Sequence, residues 1–273
     1  MNVMAIITKI TTQQKNQDRF NVFIDNGKGE EFAFSVDSDV LIKFQLKKGM
    51  ELDDFSFLEI QYQDDIRKAY NLAVNYLAIR MRAKKEIRDF LLKKEMDETL
   101  IDEVMNKLAA QKYIDDQEFA LAYARTQVNT TDKGPGVIKR ELKEKGIPEQ
   151  LLHLALDEFT MEKQIERAIE ISGKFLRKNT RDSGKIQKQK LENQLLRKGY
   201  SFDVISMAVN ETGRPDQLVE EMEAIRYQGE KAHRKFSQFT GYEYRQKMKQ
   251  ALYRKGFSMD IIEQFLTEKE NMK

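Results

Sequence analysis

Apolar residues recur in one arrangement four times along this chain: in KKEIRDFLLKKEMDETLIDEV (84–104), PGVIKRELKEKGIPEQLLHLA (135–155), KQKLENQLLRKGYSFDVISMA (188–208) and RQKMKQALYRKGFSMDIIEQF (245–265). Aligned without gaps, Ile87, Ile138, Leu191 and Met248 share one column, and Leu91, Leu142, Leu195 and Leu252 share another. That spacing places both columns on one face of a helix. Then come Glu95, Gly146, Gly199 and Gly256, each followed by an apolar residue (Met96, Ile147, Tyr200, Phe257). Asp97, Pro148, Ser201 and Ser258 follow, residue types that open helices. The apolar pairs Leu100–Ile101, Leu151–Leu152, Val204–Ile205 and Ile261–Ile262 complete the pattern. The periods are 51, 53 and 57 residues, a range that marks a repeat array.

Each repeat predicts three helices. The first varies most and is expected over 64–82, 115–129, 161–178 and 216–236. The second carries the two columns and stops at the glycine, which supplies a left-handed residue. Lys or Arg just before it suits the negative end of the helix dipole. Glu95 in place of glycine predicts a different or strained turn in repeat one. Pro135, Pro148 and Pro215 all fall at predicted helix starts. Asp115 with Glu118 fits a capping box, with Ile114 as its staple.

Residues 1–60 follow another rhythm. MAIITKI, RFNVFID and EEFAFSVD are β-branched and aromatic runs with rough alternation. Asn26-Gly27-Lys28-Gly29 reads as a hairpin turn. After Asp37 the pattern turns helical through Val40, Leu41, Phe44 and Leu46, ending at Lys47-Lys48-Gly49. A three-stranded sheet with one covering helix is expected, too small to be very stable alone and therefore docked on the array. The fold is thus expected to be mainly α: tandem three-helix repeats in a curved, elongated array behind a small N-terminal β-rich domain. Its boundaries are drawn at 1–60, 64–112, 113–160, 161–212 and 213–273.

Composition sharpens this picture. Charged residues make up 34% of the chain and hydrophobic ones 40%, which suits an array with much surface. Cysteine is absent, excluding disulfide and thiolate chemistry. The N-terminus MNVMAIITKI lacks a signal-peptide pattern, and no apolar run reaches a membrane span. A cytoplasmic monomer is expected. The net charge of +2 is uneven, with −4 over residues 1–160 and +6 over 161–273.

No phosphate-binding glycine loop and no nucleophile beside a base occurs. His153 and His233 lack a partner at metal-ligand spacing and read as ordinary helix residues. No catalytic residue, cofactor or metal is expected. The basic runs are more informative. One holds Lys174, Arg177, Lys178, Arg181, Lys185, Lys188, Lys190, Arg197 and Lys198. The other holds Arg226, Lys231, Arg234, Lys235, Arg245, Lys247, Lys249, Arg254 and Lys255, interleaved with Tyr227, Phe236, Tyr242, Tyr244 and Tyr253. A charge run is usually a solvated face. These two fall at the same place in consecutive repeats, so stacking would align them into one positive stripe for phosphates or an acidic protein groove. The candidate contacts are Arg177, Lys178, Arg181, Lys185, Lys188, Lys190, Arg197, Lys198, Arg234, Lys235, Arg245, Lys247 and Lys249. The aromatics read as core.

The opening Y-I-D-D-x-x-F-A-x-x-Y-x-R at Tyr113–Arg125, K-G-P at Lys133–Pro135 and the recurrent L-x-x-K-G-[IYF] resemble the RecX regulatory proteins. The resemblance covers roughly residues 64–269. It is the combination of these motifs that carries the resemblance. The chain departs from shorter members by its fourth repeat, its β-rich extension and Glu95. The resemblance implies a non-enzymatic regulator of recombination, DNA repair and the SOS response. It would bind the groove of the RecA–DNA filament and inhibit strand exchange and co-protease activity. Single- or double-stranded DNA is a further expected partner, and a membrane is not. The alternative reading is a direct DNA-binding protein of helix-turn-helix type.

Overall fold

The computed structural model describes residues 4–212 and 217–271; the helix start expected at Pro215 lies outside the described residues. The chain divides into two compact units, Met1–Phe119 with Lys145–Ile147, and Ala120–Glu144 with Pro148–Lys273.

The first unit opens with strands β1 (Ala5–Thr12), β2 (Arg19–Asp25) and β3 (Glu30–Asp37). Alternation sends Ile7, Val22, Phe34 and Val36 inward, and all are buried. At the hairpin, the Asp25 carboxylate accepts from the amides of Gly27 and Gly29 at 2.7 and 3.0 Å. The sheet has four strands, not three, in the order β3-β2-β1-β4, because β4 (Glu51–Leu52) pairs with β1. Two residues carry no alternation to read, so only tertiary pairing reveals that strand. Helix α1 (Ser38–Lys43) is capped by Asp37 and ends earlier than expected. Gln45, at φ 49°, takes the left-handed position, and the Leu46 amide returns to the Leu41 carbonyl at 3.0 Å. Gly49 instead turns the chain into β4.

Helix α2 (Asp54–Leu77) corrects the expected 64–82 at both ends. Asp53 caps it through the Ser56 amide at 2.8 Å. Its first half serves the sheet: Ile60 is buried in the sheet core, and the Phe57 ring meets Phe34 edge-on at 5.1 Å. Its second half, through Ile66, Ala69, Tyr70 and Ala73, is the first helix of repeat one. One helix therefore has two apolar faces for two cores, and the repeat pattern detects only the second. It stops at Leu77, where the Arg82 guanidinium lies 3.4 Å over the Tyr76 ring and its Nε donates to the Tyr76 carbonyl at 2.8 Å.

Sheet and helix are joined by Asp64, which is buried on α2. Its carboxylate accepts from Arg19 Nη2 at 2.8 Å and from the Asp37 amide at 2.8 Å, and it pairs with Lys68 at 3.0 Å. A buried carboxylate is tolerable only with such partners, and losing Arg19 would leave Asp64 with only the Asp37 amide and the half-exposed Lys68.

Repeat one continues with α3 (Lys84–Leu92) and α4 (Glu98–Ala110). Repeat two has α5 (Asp116–Thr130), α6 (Pro135–Glu144) and α7 (Glu149–Asp157); repeat three has α8 (Met161–Lys178), α9 (Gly184–Arg197) and α10 (Phe202–Glu211). Repeat four has α11 (Gln217–Phe236), α12 (Gly241–Arg254) and α13 (Met259–Asn271). Both apolar columns are at most 1% exposed in every repeat. The turns after the second helix share one geometry: Gly146, Gly199 and Gly256 have φ of 82°, 89° and 85°, and Glu95 has 61°. Glu95 therefore adopts the same left-handed turn, with the strain a side chain brings to it.

The turn glycines also dock one repeat on the one before. The Gly134 amide donates to the Lys198 carbonyl at 2.7 Å, and the Gly136 amide donates to the Gly199 carbonyl at 3.0 Å. A Cβ at residue 199 would lie 2.5 Å from the Val137 nitrogen, and one at residue 134 would lie 2.7 Å from the Gly199 carbonyl carbon. K-G-P is thus a docking motif, with glycine facing glycine. Between repeats three and four, the Ser183 hydroxyl donates to the Lys255 carbonyl at 2.6 Å, and Glu221 caps α9 through the Gly184 amide at 2.8 Å. In the first unit, Asp116 likewise accepts from the Lys84 amide at 2.8 Å and so caps α3. Asp115 caps its own helix through the amides of Gln117 and Glu118, as its position predicts.

Candidate functional site

Among the described residues no group of three or more His, Asp or Glu side chains is placed to hold a metal ion, and no helix is long and apolar enough to cross a membrane. His153, contrary to the sequence reading, does have an acidic neighbour one helical turn back: it stands exposed beside Glu149 at 3.7 Å, a carboxylate that Lys139 and Lys143 also hold. His233 Nδ1 lies 2.9 Å from the Tyr244 hydroxyl, in contact with the repeat-four core.

The basic run of repeat three falls at the end of α8, in the connection to α9 and along α9. Arg177 and Lys178 are exposed in the last turn of α8, where positive charge complements the helix dipole. Arg181 lies 4.7 Å over the Tyr227 ring, and its guanidinium donates to the Tyr227 hydroxyl at 3.3 Å. Gln228 donates to the Arg181 carbonyl at 2.7 Å, so α11 fixes this connection. Lys185 and Lys188 line a groove of about 610 Å³ whose walls include Leu176, Leu191, Leu218 and Ile261. Lys190 pairs with Asp182 at 2.6 Å, and the half-buried Lys198 pairs with Asp132 at 3.1 Å. Arg197 is exposed and donates to the Asn193 carbonyl of its own helix.

Repeat four differs. Arg234 and Lys235 are exposed at the end of α11. Arg245, Lys247 and Lys249 are only partly exposed. Arg245 pairs with Glu263 at 2.7 Å and Glu270 at 2.9 Å, and Lys249 also pairs with Glu263. Hydrogen bonds from Lys249 and then Arg245 hold the Glu263 carboxyl below its usual range. Lys247 pairs with Glu243 at 3.4 Å and lies 4.2 Å over the Phe239 ring. These three cations tie α12 to α13 and to their own repeat. By contrast Arg177, Lys178, Lys185, Lys188, Arg197, Arg234 and Lys235 form no ion pair with a described residue. The stripe read from sequence therefore separates into free cations and structural ones. Among the interleaved aromatics, Phe236 and Tyr244 pack on the repeat-four core, while Tyr242 and Tyr253 are exposed.

Four family models match the chain. The model described as "Regulatory protein RecX N-terminal domain" covers residues 5–53. Those for the first and second three-helix domains of RecX cover 69–108 and 115–156, and the third matches twice, at 162–209 and 219–266. The chain belongs to the RecX family. The regulatory protein RecX of Bacillus velezensis is 49% identical over 98% of this chain and 100% of its own length. That of Bacillus subtilis is 48% identical over 98% of this chain and 100% of its own. A crystal structure of a regulatory protein RecX matches with a TM-score of 0.67 at 35% identity, covering 76% of this chain and 99% of that one. RecX from Lactobacillus salivarius matches with a TM-score of 0.53 at 38% identity, covering 55% and 97%. Repeat four matches the model that repeat three matches, in line with their shared basic runs. The resemblance and the mainly helical repeat fold expected from the sequence are both borne out.

Proposed function

We propose that this chain is a non-enzymatic regulator that binds the filament formed by the RecA recombinase on DNA and inhibits its recombinase and co-protease activities. Membership in a family of regulatory proteins carries the reading. The free cations of repeats three and four support it, because they present positive charge without a catalytic constellation beside it. Repeated three-helix units suit a partner that itself repeats, since linked weak contacts add up by avidity. The contact residues are Arg177, Lys178, Lys185, Lys188, Arg197, Arg234 and Lys235, toward phosphates or acidic side chains. The chain acts as a cytoplasmic monomer of five segments, the first two sharing α2 across the boundary drawn from sequence.

The test is strand exchange by RecA on single-stranded DNA with ATP. The chain is expected to inhibit at well below one copy per RecA protomer and to show no ATPase or nuclease activity alone. Charge reversal at Arg177, Lys178, Lys185 and Lys188 together should weaken filament binding and flatten its salt dependence while leaving the fold intact. No effect on RecA, with tight salt-dependent binding to bare duplex DNA, would instead make it a direct DNA-binding protein.

A further inference from the structure

The turn between the second and third helices carries two outward positions in every repeat, one near the end of the second helix and one opening the third. In repeat one they are Leu92 and Glu98; in repeat two, Lys143 and Glu149. Repeat two closes on itself: Glu149 pairs with Lys143 at 2.7 Å and with Lys139 at 2.5 Å. Glutamate is also the residue a helix N-terminus favours. Repeat one shares only the glutamate, because its Leu92 is apolar and 39% exposed; repeats three and four carry apolar residues at both positions. Leu196 is 61% and Phe202 78% exposed; Tyr253 is 63% and Met259 44% exposed. None of the four fills a core, and neither Phe202 nor Met259 serves the helix start as glutamate does.

We propose that these two turns are a paired protein-docking surface, binding an apolar recess rimmed by carboxylates that the partner presents at least twice. A single exposed apolar residue is ordinary, but the same pair at the same place in successive repeats is not explained by folding. Arg197 and Arg254 follow the apolar residue directly in sequence, are exposed, and form no ion pair with a described residue. Apolar anchors beside arginine are the makeup of interface centres, and the arginines complement an acidic rim. Phe202 and Tyr253 carry rings, but Leu196 and Met259, one in each turn, do not; a mixed aliphatic and aromatic pair beside arginine matches a protein-interface centre better than a run of base-stacking platforms. The inference rests on the filament reading and names where a repeating protein partner is gripped.

The test transplants the turn of repeat two. Leu196→Lys with Phe202→Glu, and Tyr253→Lys with Met259→Glu, leave net charge unchanged and give each helix start a favoured residue. Thermal melts of the full chain should show no loss of stability. Binding is measured to RecA filaments on a single-stranded oligonucleotide with a slowly hydrolysed ATP analogue, and to the bare oligonucleotide. Each pair should weaken filament binding at least about tenfold, and both pairs together at least about a hundredfold, because they act in tandem. Bare-oligonucleotide affinity should stay within about twofold, as charge is conserved. If the wild-type chain ignores the filament, the filament reading falls and takes this one with it. If the wild type binds and the fourfold variant binds equally well, this inference alone falls. Equal losses on filament and bare oligonucleotide would assign the surface to nucleic acid and overturn it as well.

Discussion

The turn of repeat one and the turn of repeat three have the same backbone and different neighbours. Glu95 and Gly199 both sit in the left-handed region, at φ 61° and 89°. Around Gly199 the α6 backbone crowds in, with Val137 nitrogen 2.5 Å from where a Cβ would stand. Glu95 is exposed, and the described residues ahead of repeat one form the sheet and α1 rather than another three-helix unit. Glycine in this motif thus answers two demands, positive φ and close backbone approach. Only the first applies in repeat one, and a side chain can meet it at modest cost.

The largest expected effects test what the two repeats share. Leu91→Ala and Leu195→Ala should each lose about 2–5 kcal/mol in denaturant melts, because both leucines are fully buried on the same helix face. Losses under about 0.5 kcal/mol at both positions would move the column to the surface and dissolve the comparison.

Next come the turns, where the two demands separate. Gly199→Ala should cost about 2–4 kcal/mol, adding the left-handed penalty to a clash with backbone. Gly146→Ala should cost less than Gly199→Ala, about 1–3 kcal/mol, since it meets only the Lys85 side chain, whose Cδ can swing away although its Cβ at 2.9 Å cannot. Melts showing the reverse order would rule out docking as the reason for glycine. Glu95→Gly should change stability in the other direction, raising it by up to about 1 kcal/mol by relieving strain. A clear loss there would mean the Glu95 side chain has a partner that matters.

The smallest effect lies at the self-closed turn of repeat two. Hydrogen bonds from Lys139 and then Lys143 lower the Glu149 pKa from 4.5 to about 2. A depressed carboxylate contributes stability that is full above its unfolded pKa and fades as pH falls through its folded one. Stability should therefore lose a small increment between pH 4.5 and about 2 that Glu149→Gln lacks. Identical acid profiles for the two proteins would show that this exposed pair adds nothing, as many surface pairs do.

The four repeats, the buried columns, the turns and most caps are legible in the pattern of residues along the chain. These are local: an apolar period, a glycine and a helix-opening residue act within a few positions of one another. The same pattern also carried the family motifs, and it located the cations without sorting them. Tertiary structure decided which are free, because Lys249 and Arg245 meet Glu263 only when α12 packs on α13, and Lys198 meets Asp132 across a repeat boundary. It decided that K-G-P is a docking motif and that Asp116 caps the helix of the preceding repeat. It also decided that α2 starts at Asp54, as one helix shared by two cores, and that Asp64 joins Arg19 to the end of β3 across 45 residues of chain. Each of these depends on groups far apart in sequence, where no periodicity connects them and only the packed fold brings charge to charge.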